Sequence, residues 1–235
     1  GKLFMARLER LVIPGLPIHL MMSGHNRQPI FFHDEERRFY LESLRDAARE
    51  YGLAIHAYVL MPMQVQVLAT PSQQQSVSRV MQSVGRRYAQ LFNQKHQRTG
   101  TLWEGRFKSC VVDPQTYFLQ IQRYIEQSPV RAGLVQNPKN WVWSSFAHHV
   151  GAETIPWIVD HEIFWSLGNT PFERQHAWQD MASDPMSNNE IEKVSNHLNY
   201  GWPIGSPQFL TQLAHQTNRP VIARRPGRPQ KQLPK

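Results

Sequence analysis

Two apolar runs, Leu53 to Met61 and Met63 to Thr70, are separated by nothing but Pro62. Parallel strands need a crossover of about a dozen residues, so runs this close can pair only as an antiparallel hairpin. The second run alternates, setting Gln64 and Gln66 on one face and Val65 and Val67 on the other. The fold must therefore contain an antiparallel sheet with a polar pair aimed to one side.

Upstream, Ile18-His19-Leu20-Met21-Met22 reads as a short strand after Pro14-Gly15 and Pro17, and Ser23-Gly24-His25-Asn26-Arg27 as the polar loop that ends it. Asp34 then caps a helix with Tyr40, Leu44, Ala47, Ala48 and Tyr51 on one stripe, Glu35 and Glu36 in its first turn and Gly52 as its stop. Downstream, a helix over 75–95 carries the stripe Val77, Val80, Met81, Val84, Tyr88, Leu91 and Phe92. Arg106 to Val112 reads as a fourth strand, and Asp113-Pro114 opens a helix that runs to about Gln127 and is ended by Pro129. This order predicts an α+β, ferredoxin-like fold: a split βαβ antiparallel sheet with helices on one face. The expected divisions are a domain over 8–150, a helical extension over 151–217 with helices near 173–182, 188–198 and 206–215, and a basic tail over 218–235. That tail holds four prolines and little to bury, and reads as disordered until bound.

The chain of 235 residues carries 26 Lys+Arg against 18 Asp+Glu, a net +8. Its one cysteine, Cys110, excludes a disulfide framework and a cysteine-based zinc site. Apolar runs such as Tyr58 to Met61 and Val65 to Ala69 fall far short of the ~20 residues that span a bilayer. No membrane partner is expected, and the expected address is the cytoplasm, at the nucleoid, with a monomer as the expected state. The charge is uneven. Residues 75–110 hold Arg79, Arg86, Arg87, Lys95, Arg98, Arg106 and Lys108 against Glu104, and residues 218–235 hold six cations and no acid, so each segment carries +6 and the other 181 residues sum to −4. Positive charge gathered in two segments is the footprint of a polyanion partner.

Arg79 and Arg86 lie opposite the apolar stripe of their helix and can track a phosphate backbone, with Arg106 and Lys108 on the next strand extending the path. Plain surface charge is the competing reading. Ala223-Arg224-Arg225-Pro226-Gly227-Arg228-Pro229 has the composition of a minor-groove arm, against the alternative of a basic tail that merely adheres to phosphates. Tyr124, three residues after Ile121 and one before Ile125, reads on periodicity as an aromatic at the core edge. The histidines show no strong metal spacing, and His19, His56 and the pair His148-His149 read as packed or surface residues. No nucleophile elbow, P-loop or dinucleotide fingerprint occurs.

Longer runs say more. Leu60-Met61-Pro62-Met63-Gln64-Val65-Gln66-Val67-Leu68, Thr101-Leu102-Trp103-Glu104-Gly105-Arg106-Phe107-Lys108-Ser109 and Tyr124-Ile125-Glu126-Gln127-Ser128-Pro129-Val130-Arg131-Ala132-Gly133 stand in an order and spacing that resembles the REP-associated tyrosine transposases, a branch of the HUH single-strand transposases. Gly24-His25-Asn26-Arg27-Gln28-Pro29 and Trp143-Ser144-Ser145-Phe146 fit as well, and the resemblance covers about residues 8–150. It implies a ferredoxin-like domain in which a tyrosine hydroxyl attacks a DNA phosphate, leaving a 5′-phosphotyrosine and a free 3′-OH. It also implies Mg²⁺ or Mn²⁺ held by a His-hydrophobic-His strand and one polar residue of the tyrosine helix. By position the tyrosine is Tyr124.

The metal ligands do not carry over. Gln64 and Gln66 stand at the His-x-His positions, Met63 at the usual Asn, and Ser128 at the polar residue four after the tyrosine. An amide oxygen can ligate Mg²⁺, but loss of even outer-shell partners costs about 10–100-fold, and loss of the histidines themselves should cost more. The expected function is DNA binding, to a hairpin such as a REP-like repeat and its flanking single strand, with metal-dependent cleavage lost or weakened. The alternative is an active transposase using Tyr124 with Mg²⁺ or Mn²⁺ on Gln64, Gln66 and Ser128. A third is a protein- or RNA-binding module on the same scaffold. Under the first reading no metal is needed, and Arg79, Arg86, Arg87 and Arg131 contact DNA, Arg106 and Lys108 extend the groove and Trp103 stacks on bases. His25, Asn26 and Arg27 then meet the guide or flank, and Arg224, Arg225 and Arg228 add duplex affinity.

Overall fold

The computed structural model describes residues 10–222. Its strands are β1 (Ile18–Ser23), β2 (Leu53–Leu60), β3 (Gln64–Pro71) and β4 (Lys108–Val111). Its helices are α1 (Asp34–Tyr51), α2 (Ser76–Lys95), α3 (Pro114–Glu126), α4 (Ser128–Arg131), α5 (Phe146–His149), α6 (Glu162–Trp165), α7 (Pro171–Ser183), α8 (Asn188–Tyr200) and α9 (Pro207–Thr217). The sheet order is β2-β3-β1-β4 with every pair antiparallel. The turn at Pro62 is closed by Met61 N–H donating to Gln64 O at 2.8 Å. From there β2 and β3 pair back to Leu53 opposite Pro71, with one register shift between Ile55 and Ala57.

Helices α1 and α2 make the two crossovers, so the split βαβ expectation is met. Val77, Val80, Met81, Val84, Tyr88 and Phe92 of α2 join Tyr40, Leu44 and Ala47 of α1 and Leu20, Val65 and Val67 of the sheet in one buried cluster. The start of α1 differs from the expected cap. His33 is the N-cap, Asp34 is the first helical residue, and the Glu36 carboxylate accepts the N–H groups of Phe32 and His33. Glu36 thus satisfies the two amides just ahead of the helix, and Asp34 adds only its charge.

A helical layer on one face alone does not describe the molecule. The other face is covered by Phe118, Ile121 and Ile125 of α3 and Val194 and Leu198 of α8, packed with Ala57, Val59, Leu68 and Cys110. The signal for this lay in β2: the run Leu53 to Met61 is apolar at nearly every position, as a strand buried on both faces must be. The three C-terminal helices form where the weaker patterns placed them. Thr170, Ser187 and Ser206 each accept a first-turn N–H, which starts α7, α8 and α9.

Two boundaries shift in ways that matter for function. Strand β4 begins at Lys108, so Arg106 sits in the preceding bend rather than on the strand. Val221 is buried in the main core, so the basic tail does not begin at 218. Among the described residues no helix is long and apolar enough to cross a membrane.

Candidate nucleic-acid interface

The strand register builds the site. Gln66 lies opposite Met21, and Met21 lies opposite Lys108 on its other side; one row up, Gln64 faces Ser23. Gln66 shares its face of the sheet with α3, which carries Tyr124. His19 Nε2 meets Gln66 Oε1 at 2.9 Å, and Gln66 Nε2 donates to Ser128 Oγ at 3.3 Å. Ser128 Oγ in turn donates to the Tyr124 carbonyl at 3.0 Å. Arg131 Nη2 donates to the same carbonyl at 2.6 Å and to Ser128 Oγ at 2.9 Å. The guanidinium carbon lies 4.0 Å from the Tyr124 ring centroid, and His19 meets that ring edge-on at 5.8 Å. Tyr124 is thus held between a cation and a histidine.

Two local causes put these groups together. Pro129 does not simply stop the chain after α3; it sits in the first turn of α4, where a missing N–H does no harm, and that turn carries Arg131 back over Tyr124. His19 is wholly buried, and burial pulls its pKa down to about 4, with Gln66 acting against the shift and Arg131 with it. The ring is therefore neutral near pH 7 and donates from Nε2 to the Gln66 carbonyl.

The remaining sequence-picked residues are scattered. His25, Asn26 and Arg27 form a 3-10 turn, with Asn26 and Arg27 exposed and in left-handed backbone. The Glu104 carboxylate holds that turn, accepting Asn26 N–H at 2.7 Å and lying 3.4 Å from His25 Nδ1. Arg79, Arg86 and Arg87 are exposed on α2, which packs on the face of the sheet away from Tyr124, so they cannot continue a groove through Lys108. Trp103 does not offer itself to bases. It is 9 % exposed, packs against Tyr40 and Tyr88, and donates its indole N–H to Gly85 O at 2.9 Å. A large aromatic in a Gly-rich turn looks like a stacking platform in sequence, but the apolar stripe of α2 captures it. Arg224, Arg225 and Arg228 lie outside the described residues.

The family model for IS200-like transposases matches residues 13–128, from the lead into β1 to the turn after the Tyr124 helix. This part of the chain is similar to the IS200-like transposases. Among solved structures, a REP-associated tyrosine transposase bound to a REP hairpin is similar at 19% identity and a TM-score of 0.52, over 68% of this chain and 93% of that one. A transposase-related protein from Deinococcus radiodurans R1 is similar at 28% identity and a TM-score of 0.37, over 52% of this chain and 97% of that one. No curated protein matches the chain. The first of these likenesses places the sheet and its helices in a transposase fold.

IS200-like transposases of this type use a divalent metal, so the three aligned positions must be tested as ligands. They do not fit. The amide of Gln66 is committed at both ends, its oxygen to His19 and its nitrogen to Ser128. The Ser128 hydroxyl donates once and accepts twice, which exhausts it. Gln64, half-buried at the start of β3, is left as one neutral amide, and a single amide oxygen does not make a site for Mg²⁺ or Mn²⁺.

Beyond Tyr124 the transposase helix ends in a second polar cluster that sequence reading missed. The wholly buried Glu126 accepts from Ser145 Oγ at 2.5 Å, His149 Nδ1 at 2.6 Å and Trp178 Nε1 at 2.9 Å. Asp160 lies 3.5 Å from His148 Nε2 and 3.7 Å from His149 Nε2, a grouping that could hold a cation by position. The tautomer argues against it: Ile155 N–H donates to His148 Nδ1 at 3.1 Å, which puts the His148 proton on Nε2, aimed at Asp160. The cluster is a hydrogen-bonded clamp joining α3 to α5 and α7. Its residues are far apart in sequence, so no spacing rule could find them.

Proposed function

We propose that this transposase relative binds hairpin and single-stranded DNA and has lost, or greatly weakened, metal-dependent strand cleavage. The observation that carries the reading is the closed network His19–Gln66–Ser128–Arg131, which spends the positions a metal would need while leaving Tyr124 in place. Retained binding is supported by Arg131, whose Nη1 is buried without a hydrogen-bond partner beside Tyr124. An orphan guanidinium N–H in a polar site is satisfied by an anionic oxygen, and a backbone phosphate supplies one. A REP hairpin is the ligand of the structurally similar transposase, which makes a DNA hairpin the first ligand to test.

The test is a paired binding and cleavage assay on a labelled single-stranded hairpin pool, in EDTA and then in Mn²⁺, with the parent chain and Tyr124→Phe. Equal binding in both buffers and no covalent adduct are expected, with Arg131→Ala weakening binding by about ten-fold. A Tyr124-dependent adduct that forms only with Mn²⁺ would show that the glutamine pair supports catalysis.

A further inference from the structure

A cleft of about 440 Å³ opens between the edge strand β4 and the end of α8, lined by Arg10, Arg106, Lys108, Tyr200, Trp202 and Arg219 among others. That volume falls in the range of small-ligand sites. Its charge is one-sided. Among the described lining residues Glu104 is the one acid, and its carboxylate is engaged by the His25–Arg27 turn, which leaves Arg106 and Lys108 as the charge at the β4 edge. Tyr200, the last residue of α8, is 75% exposed, although Val194 and Leu198 on the same helix are buried. The helix stops there because Gly201 takes a left-handed conformation, which turns the chain under Tyr200 toward Trp202. Lys108 Nζ reaches across the cleft to Asn199 Oδ1 at 2.7 Å, tying its floor to α8.

Position links this cleft to the tyrosine site. Lys108 is the third member of the row Gln66–Met21–Lys108, and directly paired residues of antiparallel strands project to the same face. Two strand spacings put Lys108 about 10 Å from Gln66, a distance a few nucleotides span. We propose that the cleft is a binding site for one nucleotide of single-stranded DNA beside the strand segment at Tyr124, its base on the Tyr200 ring and its phosphate between Arg106 and Lys108. This rests on the DNA-binding reading above and adds to it a site built by the helices that follow the family's matched residues. An exposed aromatic face among cations suits a base and its phosphate together.

The probe is a DNA stem-loop pool with an oligo-dT flank carrying 2-aminopurine at successive positions, beside the same pool without the flank. One flank position should be quenched in the parent and not in Tyr200→Ala. The flanked DNA should bind Tyr200→Ala roughly ten-fold more weakly, with unflanked binding and thermal midpoint unchanged and Tyr200→Phe restoring the parent behaviour. Arg106→Ala should lower the salt slope for the flanked DNA by about 0.7. If the parent binds flanked DNA while Tyr200→Ala binds it equally and no position is quenched, the cleft assignment is wrong and the DNA-binding reading stands. If the parent binds neither pool, both fall. Tighter binding of a matched RNA flank with the same Tyr200 dependence would overturn the assignment to DNA.

Discussion

The two faces of one sheet differ in what they ask of the same strands. On the α1–α2 face, Leu20, Val65 and Val67 meet a stripe of valines and aromatics, and the polar tips of Tyr88 and Trp103 are bonded to the carbonyls of Ile30 and Gly85. On the α3–α8 face, the alternate residues of β1 and β3 put His19 and Gln66 in the interior, where each depends on a specific partner from another element. An apolar face tolerates any filling of the right size, whereas a polar face works only as a completed network. Tyr124 and the positions at which the family would hold a metal lie on the second face.

The sharpest break of this comparison is made on the apolar side. Phe92 is fully buried at the end of the α2 stripe, packed near Tyr88 and Phe32. Phe92→Ala should destabilise by about 3–5 kcal/mol, read from urea denaturation, while the protein that remains folded binds DNA as the parent does. A loss below about 1 kcal/mol would mean that this face is not close-packed. A change in affinity with unchanged stability would mean that the two faces are not independent.

The polar face should instead be sensitive to pH. His19 and His56 both lie against α3, and burial pulls each down to about 4 from the ordinary 6.5. In the fold both rings stay neutral while the unfolded chain takes up protons below about 6.5, so stability is complete above that pH and is lost as pH falls toward about 4. Each histidine can contribute at most roughly 3 kcal/mol across that window. The urea midpoint should drop between about pH 7 and pH 5, and His19→Gln, which keeps a donor for Gln66 without a titrating ring, should flatten part of that drop. An equally steep curve in the variant would remove His19 from the account.

How much of this was legible in sequence follows from the same contrast. The hairpin at Pro62, the stripe of α2 and the helices near 173–182, 188–198 and 206–215 rest on local chemistry, and they formed where the pattern placed them. The second helical layer was half-visible in the two-sided apolarity of β2. What could not be read were meetings between distant elements: Trp103 drawn into the core by Gly85, Arg131 folded back over Tyr124, Glu126 clamped by Ser145, His149 and Trp178, and Tyr200 set beside Lys108. Periodicity assigns a residue to a face but not to a partner. For that reason it paired the arginines of α2 with Lys108, which lies across the sheet from them.

The smallest effect on stability concerns the tail, and it separates the charge beyond the described residues from the charge in the cleft. Deleting 218–235 would remove Val221 from the core and Arg219 from the cleft along with the distal cations, so weakened binding would have several causes. Deleting 223–235 removes Arg224, Arg225, Arg228, Lys231 and Lys235 and leaves Val221 in place. The thermal midpoint should not move. If all five cations meet duplex phosphates, the salt slope for a hairpin stem should fall by about 4.5, and by proportionally less if fewer do. Quenching of the flank by Tyr200 should persist, because the described lining residues stay in the chain. An unchanged slope would leave the tail with no part in duplex binding and would put the electrostatic attraction of the stem on the folded residues, with Arg27 and the arginines of α2 as the next exposed cations to remove.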